Sequence, residues 1–349
     1  MKITRIEVAH TSEAKAHAVR DAIQALDRNG ETRVTIHTDE GISGTSSTYF
    51  GRVAASPAIL AHLIEGELAP EAAGMDPFLI RGIRDRLWKL TDYHGTVGLA
   101  LFGIAAIDLA LWDLVGKAVG QPVWRLLGAQ RDKVPAYAMA GWLELDLDGL
   151  MRVCAKAMEQ GFRGVKMKVG CETLGEDVAR IEAVRSAIGP DAPLMVDANQ
   201  ALSVAEATRR GLVYQDLGCA WFEEPIRADD IDGHVLLAQR LHIPIATGEN
   251  RYGIAQFRTL FERGGVGIVQ PDLRRAGGLT GCLEIGLMAH GFNIPYASHG
   301  GGAHLHLLAA LPNTLYMESG LLPDDGSIAL VDGCYPLPEE PGLSSHRYS

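Results

Sequence analysis

Short runs of apolar and β-branched residues recur through the last two-thirds of the chain, each followed by a stretch with helical spacing. The runs cover residues 134–140, 164–170, 193–199, 219–225, 243–249, 267–272, 293–299 and 314–320. Their starts lie 30, 29, 26, 24, 24, 26 and 21 residues apart. A strand, a helix and two loops need about that length. Eight such units in succession predict an α/β fold of the (β/α)8 barrel type. An open doubly wound sheet is the competing fold, but it usually opens with a glycine-rich phosphate loop after its first strand, and none occurs here.

The first third reads differently. Residues 2–10 and 32–39 have strand character, with Gly41 and Gly44 marking a turn after the second. Polar residues fill the stretch 11–31 between them, including His17, Arg20, Arg28 and Asn29, and read as a surface loop. Helical patterns dominate from about 55 to 120, the strongest ending at Gly120 and Pro122. This predicts an α+β unit of about 125 residues. The tail is rich in Pro and Gly and is expected to fold back onto that first unit.

Composition narrows the function classes. The chain has 349 residues, of which 47% are hydrophobic and 21% charged, a globular balance. A net charge of -11 opposes non-specific attraction to nucleic acid or acidic membranes. The longest strictly apolar run, Val97–Ile107, is too short to span a bilayer. The first ten residues hold no apolar signal core, and the five cysteines form no CxxC pair. A cytoplasmic protein with reduced thiols is expected.

In a parallel barrel the chemistry gathers at the C-terminal ends of the strands. Most of the runs here finish in a titratable residue. Asp197, Glu223 and Glu249 are each 26 residues apart, at the same end of three consecutive strands. Any one of them alone reads as a solvated loop acid. Three in register repel one another unless a cation or protons compensate, and oxygen-only ligation suits a hard divalent ion, Mg²⁺ or Mn²⁺. Lys166 and Lys168 share one strand face, and Val165, Met167 and Val169 take the other. Neighbouring ammonium groups lower each other's proton affinity, so one of the two is expected to serve as a base near neutral pH. Asp272 and His299 end adjacent strands, an arrangement that fixes an imidazole tautomer and raises its basicity. Glu318, on the last strand, is a hydrogen-bond donor if burial among acids keeps its proton, and otherwise a salt-bridge residue. His304 and His306 are expected to be packing residues of the next helix, and Trp142 either walls the pocket or belongs to the core. The glycines at 300–302 would let backbone amides approach an anionic substrate.

These motifs together resemble the enolase superfamily, in its mandelate racemase-like branch. The resemblance runs through nearly the whole chain: residues 110–129 (ALWDLVGKAVGQPVWRLLGA), VKMKVG at 165–170, MVDANQ at 195–200, WFEEP at 221–225, TGEN at 247–250, QPDLRRAGG at 270–278, ASHG at 297–300 and MESG at 317–320. It implies a capping domain over 1–125, completed by the tail 326–349, and a catalytic barrel over 126–325. It implies metal ligation by Asp197, Glu223 and Glu249, with Asn199 lining that site. Lys168 would be one base with Lys166 its modulator, His299 with Asp272 the second, and Glu318 the group that hydrogen-bonds the developing oxyanion. It also implies a small carboxylate substrate and a homo-oligomer, dimer or octamer. Many relatives carry Gly-Trp-Gly-Glu after the second cap strand, whereas this chain has Gly44-Thr45-Ser46-Ser47-Thr48-Tyr49. Segment 11–31, which closes over substrate in the family, matches no known specificity pattern.

The implied chemistry is removal of a proton α to a carboxylate, giving an enediolate that a dication and an acid stabilise. Loss of a β-hydroxyl then gives a 2-keto-3-deoxy acid, and reprotonation on the opposite face gives racemisation or epimerisation. Dehydration of a sugar acid, an aldonate or aldarate, is the expected reaction, with racemisation the alternative. A non-catalytic use of the fold is the alternative from another class.

Overall fold

The computed structural model describes residues 1–344. It opens with a three-stranded antiparallel sheet of β1 (Ile3–Arg20), β2 (Ala25–Thr38) and β3 (Ser43–Phe50). The segment read as a surface loop is therefore strand: β1 runs on through Thr11 to Arg20 and pairs with β2, with a register shift between Ala14 and Val19. A two-stranded ribbon that leaves the sheet is wet on both faces, so it has no apolar alternation to betray it. The ribbon ends in a tight turn. The Asp21 carboxylate accepts the N–H groups of Ile23 and Gln24, both at 2.9 Å, a side-chain mimic of a turn. Residues 44–49 form most of β3, so Gly44, read as a turn residue, is strand and pairs with Ile36.

Helices Ser56–Leu63, Ile80–Thr91 and Leu99–Ala118 cover one face of this sheet. The last is long and apolar enough to cross a bilayer, longer than the apolar run within it suggested, yet 83% of its most apolar window is buried inside the fold. It packs on the cap and on the barrel at once. Gly44 of β3 lies against its backbone, Trp112 donates to Thr280, and Asp108 accepts the Thr280 N–H at 3.0 Å.

Eight parallel strands then close on themselves. They are β4 (Lys133–Gly141), β5 (Val165–Lys168), β6 (Leu194–Asp197), β7 (Phe222–Glu223), β8 (Ile245–Thr247), β9 (Ile268–Val269), β10 (Tyr296–Ala297) and β11 (Thr314–Ser319). They neighbour one another in sequence order, and β11 pairs with β4 to complete the ring. Seven lie within the predicted runs, and β4 overruns its run by one residue at each end. Val165, Met167 and Val169 face the helices and join the main core, as their alternation required. Inside the ring a smaller cluster of Tyr137, Met195, Trp221, Ala246, Ile268 and Ala297 plugs the barrel beneath its mouth. The tail returns as β12 (Cys334–Pro336), antiparallel to β4. It continues to the first unit, where Trp124 Nε1 donates to the Pro338 carbonyl and Leu343 N–H to Asp113. The predicted tail extends to residue 349, and its positions 345–349 lie outside the described residues.

Candidate active site

Sheet register builds the site. Lys168 lies opposite Asp197, and Asp197 opposite Glu223, across three neighbouring strands. Glu249 follows two residues beyond the end of β8. The three carboxylates are buried, and one oxygen of each lies within 4.8 Å of the others. The chain bends sharply just after two of these strands. Asn199 and Glu224 adopt positive φ, +41° and +38°, the kind of strain that an over-determined site retains. Asn199 donates its N–H to Asp197 Oδ1 at 2.8 Å, and its own buried side-chain oxygen has no partner. Burial pushes Glu223 up to about 7, and Asp197, Glu318 and Glu249 add to that against the pull of Lys166. A donor set of three buried carboxylates fits a hard divalent cation, and crowding them without one is costly.

Lys166 and Lys168 both reach the mouth. Lys166 Nζ contacts Glu223 Oε1 at 2.6 Å and Glu318 Oε2 at 2.5 Å, while Lys168 Nζ contacts Asp197 Oδ2 at 2.6 Å. The expectation that mutual repulsion lowers their proton affinity is corrected here. Burial does pull each down, and Lys166 opposes Lys168, but the facing carboxylates outweigh these effects and leave the two ammonium groups above the usual lysine range. Trp142 is half-buried and outside the core clusters, with Lys168 Nζ 5.2 Å from its ring centroid.

Glu318 takes the second of its two expected forms, a salt-bridge residue of Lys166. Burial favours its protonated form, but Lys166 and His299 overcome that, and its carboxyl sits at about 2. It is an anion that accepts from Lys166 and from the Tyr137 hydroxyl at 2.6 Å, not a donor.

His299 Nδ1 lies 2.8 Å from Asp272 Oδ2, and its Nε2 lies 3.1 Å from Glu249 Oε2. Burial lowers its proton affinity, but Glu249 and Asp272 more than restore it and hold the ring above the usual histidine value. Asp272 is pushed up by burial yet held well below the carboxylate range by Arg274, His299 and Arg275. Arg274 grips it through Nε and Nη2.

Several side chains of the site escaped the sequence reading. Tyr137 supports Glu318. Trp221 Nε1 and Gln270 Nε2 donate to Glu223 Oε2 at 3.1 and 2.8 Å, and Asn250 donates to both oxygens of Glu224. Trp221 and Gln270 each stand two residues before a predicted site acid in the same predicted run, and that spacing was the signal that could have found them. His306 is a packing residue as expected, taking the Trp124 N–H and bonding the Leu343 carbonyl. His304 is buried with neither ring nitrogen partnered.

Known proteins share this fold. Residues 5–128 match the family model for the mandelate racemase / muconate lactonizing enzyme N-terminal domain, and residues 149–346 match that for the enolase C-terminal domain-like fold. The chain is 35% identical to arabinonate dehydratase of Saccharolobus solfataricus over 80% of its length and 79% of the relative's. It is 38% identical to L-talarate/galactarate dehydratase of Salmonella typhimurium over 81% of its length and 71% of the relative's. A racemase from Streptomyces coelicolor A3(2), solved with bound magnesium, superposes with a TM-score of 0.92 at 31% identity, covering 98% of this chain and 96% of that one. The chain belongs to the mandelate racemase / muconate lactonizing enzyme family of the enolase superfamily.

Proposed function

We propose that this chain is a magnesium-dependent dehydratase of sugar acids, acting by removal of the proton α to a carboxylate. The observation that carries the reading is the convergence of Asp197, Glu223 and Glu249 on one point, with Lys168 on one side and the His299–Asp272 pair on another. Asp197, Glu223 and Glu249 would hold the metal. Bound there, Mg²⁺ would supply positive charge to the substrate carboxylate, and Lys168 would be the amine that acts as a base. The enediolate that follows carries two negative charges, and Lys166 lies beside the site to offset them. His299, kept charged by Asp272 and Glu249, has a proton to give to a departing β-hydroxyl. Lys168, in contact with Trp142, takes the α-proton. Glu318 and Tyr137 fix Lys166 between them.

The dehydratases among its relatives support this reading, and the racemase of Streptomyces coelicolor supports the second one. The same two bases serve reprotonation from the opposite face, so epimerisation of a 2-hydroxy acid is the alternative. A non-catalytic role is disfavoured because crowding three buried carboxylates costs stability without use. The five cysteines are unbridged, which suits the reducing cytoplasm. A homo-oligomer, dimer or octamer, is part of the same proposal, and light scattering decides it. The reaction is tested by incubating the Mg²⁺-loaded protein with a set of aldonates and aldarates and assaying 2-keto acids. Keto-acid formation supports dehydration. Exchange of solvent deuterium at the α-carbon without water loss would replace it with the epimerase reading.

A further inference from the structure

We propose that Arg180 is a positioning residue: from an outer helix it holds Trp142 against Lys168 and so fixes the path by which that amine meets substrate. The inference rests on the reading of Lys168 as a base. Helix Leu174–Ile188 starts directly behind the loop that follows β5. A reciprocal cap fixes that start, with Thr173 Oγ1 accepting the Glu176 N–H at 3.2 Å and Glu176 accepting the Thr173 N–H at 2.9 Å. Asp177 and Arg180 stand three residues apart and share one face of the helix. Asp177 takes the N–H groups of Gly170 and Cys171, just beyond Lys168. Arg180 reaches the neighbouring loop, after β4. Its Nη2 donates to the Trp142 carbonyl and its Nη1 to the Leu145 carbonyl, both at 2.8 Å.

Those two bonds are what Arg180 does. It is buried, it forms no ion pair among the described residues, and its Nε has no partner. A buried guanidinium without an acid costs stability, so its spending on two carbonyls of one short loop marks that loop as the thing it secures. The loop is held from the opposite side too. Leu143 donates its N–H to the Arg20 carbonyl at 3.0 Å, and Glu144 accepts the Arg20 N–H at 2.8 Å. Backbone 142–145 is thus fixed between helix and ribbon. The Trp142 ring that it carries has its centroid 5.2 Å from Lys168 Nζ. An ammonium over an indole face is attracted to it, which restrains the flexible four-carbon stem of the lysine. Misplacing a reacting group by about 1 Å costs about 10²-fold in rate, so the restraint bears directly on a base. His299 draws nothing from this helix, since Asp272 and Arg274 orient it. Loss of Arg180 therefore weakens one base and spares the other.

The test is Arg180→Met, which keeps an apolar stem and removes both bonds, beside Arg180→Lys and Trp142→Leu. Exchange of the α-proton with solvent deuterium is followed on two epimeric sugar acids, one served by each base. Arg180→Met and Trp142→Leu should slow the epimer that Lys168→Ala silences by about tenfold or more and leave the other nearly unchanged. Arg180→Lys keeps a donor at that position and should recover part of the loss. Equal slowing of both epimers would mean general structural damage and overturn the positioning role. If far-ultraviolet dichroism shows Arg180→Met unfolded, the other two variants carry the test. The place of the ring is read separately, by fluorine nuclear magnetic resonance of protein labelled with 5-fluorotryptophan. Trp142→Leu assigns the Trp142 signal, which should shift in Lys168→Ala and in both Arg180 variants. A signal unmoved by the Arg180 variants would overturn the positioning role, whether or not the protein turns over. Absence of exchange in the parent protein counts against the enediolate reading, and the fluorine signal then decides on its own whether Arg180 places Trp142.

Discussion

Asp272 reaches His299 Nδ1 at 2.8 Å while Arg274 grips the same carboxylate from the other side. The acid is thus locked in its ionised form and in one orientation, and the imidazole inherits both a fixed tautomer and a raised proton affinity. Its second nitrogen is the one that points at Glu249 and the metal-ligand cluster.

This pairing sets a pH dependence. A histidine whose proton affinity is raised acts as an acid until pH climbs through its folded pKa, so turnover should decline on the alkaline side. Asp272→Asn keeps the shape and removes the charge. The alkaline limb should move to lower pH and the maximal rate fall about 10²-fold or more. Profiles of kcat against pH for the two proteins check this, and superimposable limbs would contradict it.

Lys168 and His299 approach from different strands, so their loss should be distinguishable. Lys168→Ala and His299→Asn are each expected to reduce turnover by about 10²–10⁴-fold. Exchange of the α-proton with solvent deuterium, followed by nuclear magnetic resonance on two epimeric acids, should be lost for one epimer in each variant. Full activity in both variants would remove the two-base assignment.

Much of this was legible from sequence because parallel barrel strands are buried on their outer face, so a charge in them has to point at the mouth. Lys166, Lys168, Asp197 and Glu223 stood out for that reason, and the 26-residue interval extended the set to Glu249. The ribbon of β1 and β2 was not legible, because Thr11–Arg20 has solvent on both faces and its pairing is set by backbone hydrogen bonds alone. The charge state of Lys168 was misjudged, and that of Glu318 stayed open, for a different reason. Sequence showed that the lysines neighbour each other and that acids crowd the mouth, but not which sign lies nearer. The 2.5 Å contact of Lys166 with Glu318 and the 2.6 Å contact of Lys168 with Asp197 decide it.

Away from the site, Asp177 is fully buried and accepts from the N–H groups of Gly170 and Cys171, from Arg210 Nη1 at 2.5 Å and from Tyr214. It clamps the loop just after Lys168, where Gly170, at φ +94°, lies against Ala22 of the ribbon turn. Asp177→Ala leaves the Arg210 guanidinium buried without that partner and should cost about 3 kcal/mol. Urea unfolding measures it, and a loss below about 1 kcal/mol would show that Glu206 suffices as the partner.

Asp108 joins the two units and carries an unusual proton affinity: burial pushes it up to about 6 against the hydrogen bonds from Thr280. The folded chain therefore keeps a proton that the unfolded chain has released between about pH 4 and pH 6, so this group's contribution to stability falls as pH rises through that window. The difference amounts to about 3 kcal/mol. Asp108→Asn retains an acceptor for the Thr280 N–H and should flatten the pH dependence, with a higher Tm at pH 7. Thermal melts across pH 4–8 test it, and identical slopes in variant and parent would contradict it.

The most direct test is calorimetric titration of the chelator-stripped protein with MgCl₂, in parallel with its Glu223→Gln variant. The expected result is a single site per chain in the parent and loss of binding in the variant. Absence of binding in the parent, or equal binding in both, would show that Asp197, Glu223 and Glu249 do not form a metal site.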